Sequence, residues 1–197
     1  LVGSEMCIRD SRCSIFSANG ALWDSILRWA EACSFPVMTR KWVVNLCIDF
    51  LENRTDKKTV DLCSGSGAIA VALDKISGAK VTAVEIDETA FSYLETNVKE
   101  NNSSVKPVMA DALEICDTFA DGELDLIVSN PPYIKSADIE TLQKEVQLEP
   151  RLALDGGEDG CDFYREIVSR WSRKLKKGGA LAFELGENQA DAVKALM

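Results

Sequence analysis

The stretch TVDLCSGSGAIAVALDKI, residues 59–76, decides how this chain folds. TVDLC at 59–63 is a short apolar run typical of a buried strand, and GAIAVALDKI at 67–76 repeats its apolar side chains with helical spacing. Gly65 and Gly67 stand between the two in a G-x-G-x-x-A pattern. A strand, a glycine turn and a helix in this order predict the first unit of a parallel sheet that is covered by helices.

The same alternation continues to the end of the chain. Strands that alternate with helices of this length predict an α/β fold, a doubly wound, mostly parallel Rossmann-like sheet with helices on both faces. Pro107 lacks an N–H and is therefore expected on an edge strand. The predicted elements are strands at 80–86, 105–110, 124–130 and 180–186, and helices at 88–101, from Phe163 to the glycines at 178–179, and from about Asn188.

The residues before the glycine turn follow a different pattern. Residues 1–13 show no periodicity and resemble a translated sequencing adapter more than a folding unit, so we expect an artefactual or disordered leader. Apolar side chains recur with helical spacing at 21–33 and at 43–51, which predicts two helices. We therefore divide the chain into this leader, a helical N-terminal remnant at 14–57 and the sheet domain at 58–197.

Composition limits the classes of function. The chain has 197 residues, of which 46% are hydrophobic, so it can bury a core of its own, and it carries no apolar run of membrane-spanning length. Its seven cysteines are never spaced C-x-x-C and histidine is absent, which predicts reduced thiols, a cytoplasmic location and no metal site. The net charge of −10 argues against direct nucleic-acid binding.

A ligand of such a sheet is expected beyond the carboxyl ends of its strands. Gly65 and Gly67 let a ligand approach the backbone, and Glu85, at the end of the second strand, is positioned to accept hydrogen bonds from a ribose diol. Asp111, after the third strand, can accept from an adenine amino group or cap the next helix. These features suit a nicotinamide cofactor and S-adenosylmethionine equally. Asp61 and Cys63 complete the predicted cofactor-binding set.

The segment VSNPPYI, 128–134, distinguishes the two cofactors. Two prolines stiffen the chain directly after the fourth strand, so that Asn130 and Tyr133 face the crevice in one conformation. Here the sequence resembles the class I S-adenosylmethionine-dependent methyltransferases, in which N-P-P-Y marks transfer to a planar nitrogen. The Asn130 side chain and the Pro131 carbonyl are the predicted acceptors for that NH2 group, and Tyr133 offers a stacking face. Asn130 is also assigned to cofactor binding, and Pro132 completes the substrate-binding set.

Several longer blocks narrow the resemblance. DLCSGSGAIAVAL, AVEID, SNPPYI, EVQLEPRLALDGGEDGCDFYREI and GGALAFELGENQADAV resemble, in order and spacing, the protein-(glutamine) N5-methyltransferases that modify peptide chain release factors. This resemblance implies S-adenosylmethionine as cofactor, a release factor as protein partner and the glutamine of its Gly-Gly-Gln motif as substrate. The sequence departs from the family pattern in two places. FPVMTRKW at 35–42 is a degraded form of a substrate-side segment, and the last two strands of the family's sheet are expected to be missing.

Three alternatives stay open beside the release-factor assignment. A related enzyme acts on a glutamine of a ribosomal protein. A nucleic-acid adenine amino-methyltransferase uses the same acceptor chemistry, although the acidity of the chain disfavours it. A cofactor-binding fragment without activity is the non-enzymatic alternative.

Overall fold

The computed structural model describes residues 37–197 except 145, 147, 148 and 187. Each predicted strand from Lys58 onward is present, with bounds that differ by a few residues from those read off the apolar pattern. The strands are β1 Lys58–Leu62, β2 Lys80–Glu85, β3 Lys106–Met109, β4 Leu124–Ser129 and β5 Leu175–Phe183; the helices are α1 Val37–Glu52, α2 Ala68–Ser77, α3 Glu88–Glu100, α4 Arg151–Leu154, α5 Asp162–Trp171 and α6 Ala190–Leu196.

All five strands are parallel, in the order β3-β2-β1-β4-β5. The first strand, β1, lies in the centre of the sheet. The chain then adds β2 and β3 on one side of β1 and β4 and β5 on the other side. This order confirms the predicted doubly wound α/β sheet and creates a switch point between β1 and β4. Pro107 pairs with Ala83 on the edge strand β3, as its missing N–H predicted.

Helices cover both faces of the sheet. On one face α1, α2 and Leu94 of α3 pack against the strands, and Val44, Leu51 and Leu73 are almost fully buried there. On the other face Ile167 and Trp171 of α5 pack on β1 and β4. The indole Nε1 of Trp171 donates to the carbonyl of Ala112 at 2.9 Å, which satisfies its polar group within the core. Helices therefore cover both faces of the sheet, and the predicted site residues lie at the carboxyl ends of its strands.

The predicted length of the helix from Phe163 is wrong. The helix α5 ends at Trp171, a 3-10 turn follows at Ser172–Lys174, and Leu175 already belongs to β5, where it pairs with Leu124. Leu175 continues the helical spacing by coincidence, since it is partly buried against the core through its pairing with β4. A register shift between Leu124 and Leu126, together with Gly178 at φ +77°, accommodates the extra residues of β5.

The N-terminal predictions have different outcomes. The helix predicted at 43–51 is confirmed as part of α1, and its buried side chains join the core of the sheet. The leader at 1–13 and the helix at 21–33 lie outside the described residues, and the domain boundary at 57–58 stays a prediction. Among the helices that the structure describes, none has the length and apolarity to cross a membrane.

Candidate functional site

The glycine turn that joins β1 to α2 has a left-handed backbone at several positions. Cys63, Gly65 and Gly67 have φ values of +56°, +56° and +78°. A Cβ on Gly67 would lie 2.2 Å from Cδ1 of Leu94, whereas a Cβ on Gly65 would meet nothing within 4 Å. Gly67 is therefore required by the close packing of α3. Gly65 is instead a bare backbone position at an open edge, which a ligand can approach.

Two buried polar side chains hydrogen bond to this turn and to the start of α2. Asp61 is fully buried, and its Oδ2 accepts from the N–H of Ala70 at 3.1 Å, in the first turn of α2. Asn97 of α3 donates from Nδ2 to the carbonyl of Ser66 at 2.8 Å. Asp61 thus contacts the helix start, while its predicted contact with the cofactor stays a prediction. Asn97 was not found from the sequence, because nothing in an amphipathic helix marks its contact with the turn.

Glu85 connects the glycine turn with the end of β2. One carboxylate oxygen accepts from the N–H of Gly65 at 2.7 Å, and the other accepts from Ile86 and Asp87, each at 2.9 Å. The side chain is 8% exposed. These bonds fix the carboxylate beside the open backbone of Gly65. The oxygen that accepts from Gly65 keeps one lone-pair site for a ligand hydroxyl, whereas the other oxygen already accepts two bonds.

Asp111 and Ile86 lie just after β3 and β2, respectively. The Asp111 carboxylate accepts from the N–H of Leu113 at 2.7 Å, so it caps the following turn, and its second oxygen remains free of that bond. Ile86 follows Glu85 and is 46% exposed. Ile86 was missed from the sequence because its exposure depends on where the sheet ends.

Cys63 is chemically quiet. Burial, followed by the negative charge of Glu85, raises the pKa of its thiol to about 12. The thiol therefore stays protonated near neutral pH and is a poor nucleophile. Within the described part of the chain, no cluster of cysteines and carboxylates has the arrangement of a metal site.

The Asn-Pro-Pro-Tyr segment begins where the fully buried strand β4 ends. Ser129 pairs with Leu62 of β1, and its Oγ donates to the Leu62 carbonyl at 2.8 Å. Asn130 therefore follows the position directly beside the start of the glycine turn. Pro131 and Pro132 are buried, whereas Asn130 and Tyr133 are partly exposed. After them, the N–H of Ile134 donates to the Leu154 carbonyl at 2.9 Å, which returns the segment to α4.

A pocket of about 60 Å³ opens beside this segment. Asn130 and Tyr133 line it together with two acidic residues, Glu149 and Glu184. Glu184 is 5% exposed, and its N–H donates to the Ser129 carbonyl at 3.0 Å, so it directly flanks Asn130 across the β4–β5 pair. Both glutamates were missed from the sequence, although they lie in the quoted blocks. Acceptor groups on several sides suit a ligand group that carries N–H donors.

The structure thus brings the predicted residues to one end of the sheet. The glycine turn, Glu85 and Asp111 follow β1, β2 and β3, and the Asn-Pro-Pro-Tyr segment follows β4 on the other side of the switch point. An open parallel sheet with these groups at its carboxyl edge is a Rossmann-like methyltransferase domain.

Comparisons with known proteins agree with this class. Residues 44–158 match the model of the methyltransferase small domain family, and the chain belongs to this family. The release factor glutamine methyltransferase of Geobacter sulfurreducens is 46% identical over 136 residues, 68% of this chain and 47% of that protein. The ribosomal protein uL3 glutamine methyltransferase of Francisella tularensis is 35% identical over 131 residues, 66% of this chain and 41% of that protein.

The fold is also found among solved structures. A methyltransferase from Pyrococcus furiosus superposes with a TM-score of 0.57 and 25% identity, over 78% of this chain and 69% of that one. The predicted resemblance to the glutamine methyltransferases is confirmed by these relatives. The chain spans about half the length of the curated relatives it matches.

Proposed function

We propose that this protein transfers a methyl group from S-adenosylmethionine to the side-chain amide nitrogen of the glutamine in the Gly-Gly-Gln motif of peptide chain release factors. The observation that carries the proposal is the pairing of Ser129 with Leu62. It brings Asn130 beside the glycine turn, which supports a single crevice that takes both the cofactor and an amide. The names of the relatives support the choice of substrate.

The residues of the turn fit the cofactor. The open backbone at Gly65 admits the amino acid part of the ligand, and the Glu85 carboxylate beside it can accept from a ribose diol. The exposed side chain of Ile86 offers an apolar surface to the adenine, and Asp111 an acceptor to its amino group. When bound, S-adenosylmethionine supplies a methyl group that is attached to a positively charged sulfur. After transfer of the methyl group, the rest of the cofactor is a neutral thioether.

The side chains after β4 perform the other half of the reaction. The lone pair of an amide nitrogen is delocalised, so the nitrogen needs acceptors that become more favourable as it gains positive charge. The Asn130 oxygen and the Pro131 carbonyl fill this role, and the Tyr133 ring stacks on the planar amide. Transfer forms a carbon–nitrogen bond, breaks a carbon–sulfur bond and releases one proton from nitrogen.

The second candidate is methylation of a glutamine in a ribosomal protein. The similarity to the uL3 enzyme of Francisella tularensis favours it, since both substrates present the same amide. The residues of the pocket contact only the amide in this proposal. The surface around the pocket therefore determines which of the two proteins binds.

Mass spectrometry of purified proteins tests the proposal. A release factor is incubated with S-adenosylmethionine and the purified protein, and we expect one added methyl group on the Gly-Gly-Gln glutamine. A release factor with that glutamine changed to glutamate is the matched control. Methylation of uL3 alone supports the second candidate, and methylation of adenine in an oligonucleotide refutes both. Cofactor binding without transfer to any substrate supports the non-enzymatic alternative.

A further inference from the structure

Gln189, the residue before α6, hydrogen bonds with its side chain to two other loops and to its own loop. Its Nε2 donates to the carbonyl of Tyr133 at 2.9 Å and to that of Gly160 at 3.1 Å, while its Oε1 accepts from the N–H of Gly186 at 3.0 Å. Gln189 is 8% exposed. Both donors and the acceptor of this buried amide are therefore used, and no charged or apolar side chain can reproduce the set.

Three glycines leave room for Tyr133 in the same place. A Cβ on Gly156 would lie 2.7 Å from the Cα of Tyr133, and a Cβ on Gly160 would lie 2.5 Å from its carbonyl oxygen. A Cβ on Gly186 would lie 2.8 Å from the Cδ2 of its ring. Such distances are too short for any side chain without movement of the loops. Tyr133 is thus enclosed by the loops that Gln189 joins.

We infer that Gln189 is a positioning residue for methyl transfer: its amide fixes the Tyr133 carbonyl and thereby the orientation of the Asn-Pro-Pro-Tyr segment towards the substrate amide. This inference rests on the proposed function. Gln189 does not line the pocket, so its effect passes through Tyr133. We call the hydrogen bonds of the Gln189 side chain the clamp. Because small displacements of a reacting group strongly reduce rates, loss of the clamp is expected to lower the transfer rate more than it weakens cofactor binding.

The sharpest variant is Gln189→Glu, which keeps the shape but places a carboxylate oxygen against two carbonyl oxygens. At pH 8 we expect the single-turnover rate to fall by about tenfold or more, the order expected for losing one or two hydrogen bonds. Affinity for S-adenosylmethionine, measured by calorimetry, is expected to stay nearly unchanged. Burial raises the pKa of the introduced carboxyl, and its protonated form can donate to one carbonyl again. The variant should therefore regain activity relative to wild type as the pH falls to 6.

Asn97→Asp is the matched control on the cofactor side. Asn97 is also a buried amide, 5% exposed, and its Nδ2 donates to the Ser66 carbonyl in the glycine turn. The same exchange of amide for carboxylate is expected to weaken cofactor binding there, with a smaller loss of rate at saturating cofactor. If both variants changed rate and affinity in the same proportion, Gln189 would be a general structural residue and the inference would be overturned.

Hydrogen exchange separates a failure of this inference from a failure of the proposed function. In Gln189→Glu, amides of the peptides at 131–136 and 156–162 are expected to exchange faster than in wild type. Wild-type protein that methylates no glutamine refutes the proposed function, while the exchange experiment still tests the clamp. Unchanged exchange together with an unchanged rate overturns the clamp. Should Gln189→Glu fail to fold, Gln189→Met, which is similar in length and uncharged, is expected to lower the rate and speed exchange without recovery at low pH.

Discussion

The cofactor half and the substrate half of the crevice are built in different ways. The glycine turn is held by groups close to it in sequence: the Glu85 carboxylate, 20 residues from Gly65, and the Asn97 amide, 31 residues from Ser66. The Asn-Pro-Pro-Tyr segment is held by Gln189, 56 residues from Tyr133, and by three glycines from two later loops. One half is a local supersecondary unit, whereas the other requires the finished sheet.

This difference predicts different consequences of mutation. The turn needs only β1, β2 and the helices that follow them, so changes there are expected to affect cofactor affinity. The substrate segment needs the loop before α5 and the loop after β5, so changes there are expected to affect the rate of transfer. Experiments that measure cofactor affinity and transfer rate separately test whether the two halves differ in this way.

The largest effect is expected for Asn130→Ala in the substrate half. Its oxygen gains most when the acceptor nitrogen becomes positive, so the methylation rate should fall by about a hundredfold to a thousandfold, as for other preorganised acceptors and donors. Affinity for S-adenosylmethionine, measured by calorimetry, should change little. A large loss of affinity would instead show that Asn130 acts mainly through its predicted contact with the cofactor.

The next effect is expected for Glu85→Ala in the cofactor half. Loss of hydrogen bonds to a charged group costs about 1.5 to 3 kcal/mol, so the dissociation constant for S-adenosylmethionine should rise by about tenfold to a hundredfold. The rate at saturating cofactor should be affected less. Glu85→Gln, which keeps the shape and one acceptor, is the control and should lose less affinity. Unchanged affinity in Glu85→Ala would remove Glu85 from the cofactor site.

The two glycines of the turn provide a matched pair with a smaller effect. Both Gly65→Ala and Gly67→Ala place a side chain at positive φ, which costs about 1–2 kcal/mol. The new methyl group at Gly67 also meets Leu94 at 2.2 Å, so this variant should lose the most stability in thermal unfolding. The methyl group at Gly65 points into open space where the ligand is proposed to bind, so this variant should lose about tenfold in cofactor affinity. Equal affinities of Gly65→Ala and wild type would argue against a ligand there.

The last prediction concerns the pH dependence of stability and Cys63. Burial and the charge of Glu85 raise the pKa of its thiol from the ordinary 9.0 to about 12 in the folded protein. Above pH 9 the unfolded chain releases this proton first, so the stabilising contribution is complete below pH 9 and is lost as the pH rises towards 12. Urea unfolding at several alkaline pH values should therefore show a steeper loss of stability in wild type than in Cys63→Ala. Parallel curves would mean that Cys63 is not buried at the turn.

The sequence by itself determined the parts of this protein that depend on neighbouring residues. Apolar spacing located the strands, Pro107 indicated an edge, and G-x-G-x-x-A gave the turn, because each of these reflects local backbone geometry. The predicted site residues also come together at one end of the sheet, since parallel strands have their carboxyl ends on the same side.

Only the tertiary structure decided the rest. The end of α5 and the start of β5 could not be read from the sequence, because Leu175 is apolar in either element and its pairing with Leu124 selects the strand. The contacts of Gln189, Asn97 and Glu184 were equally invisible, because a buried amide or carboxylate has no periodic pattern. The Gln189 amide bonds to the carbonyls of Tyr133 and Gly160 in two other loops, and these groups meet only after β5 has joined the sheet.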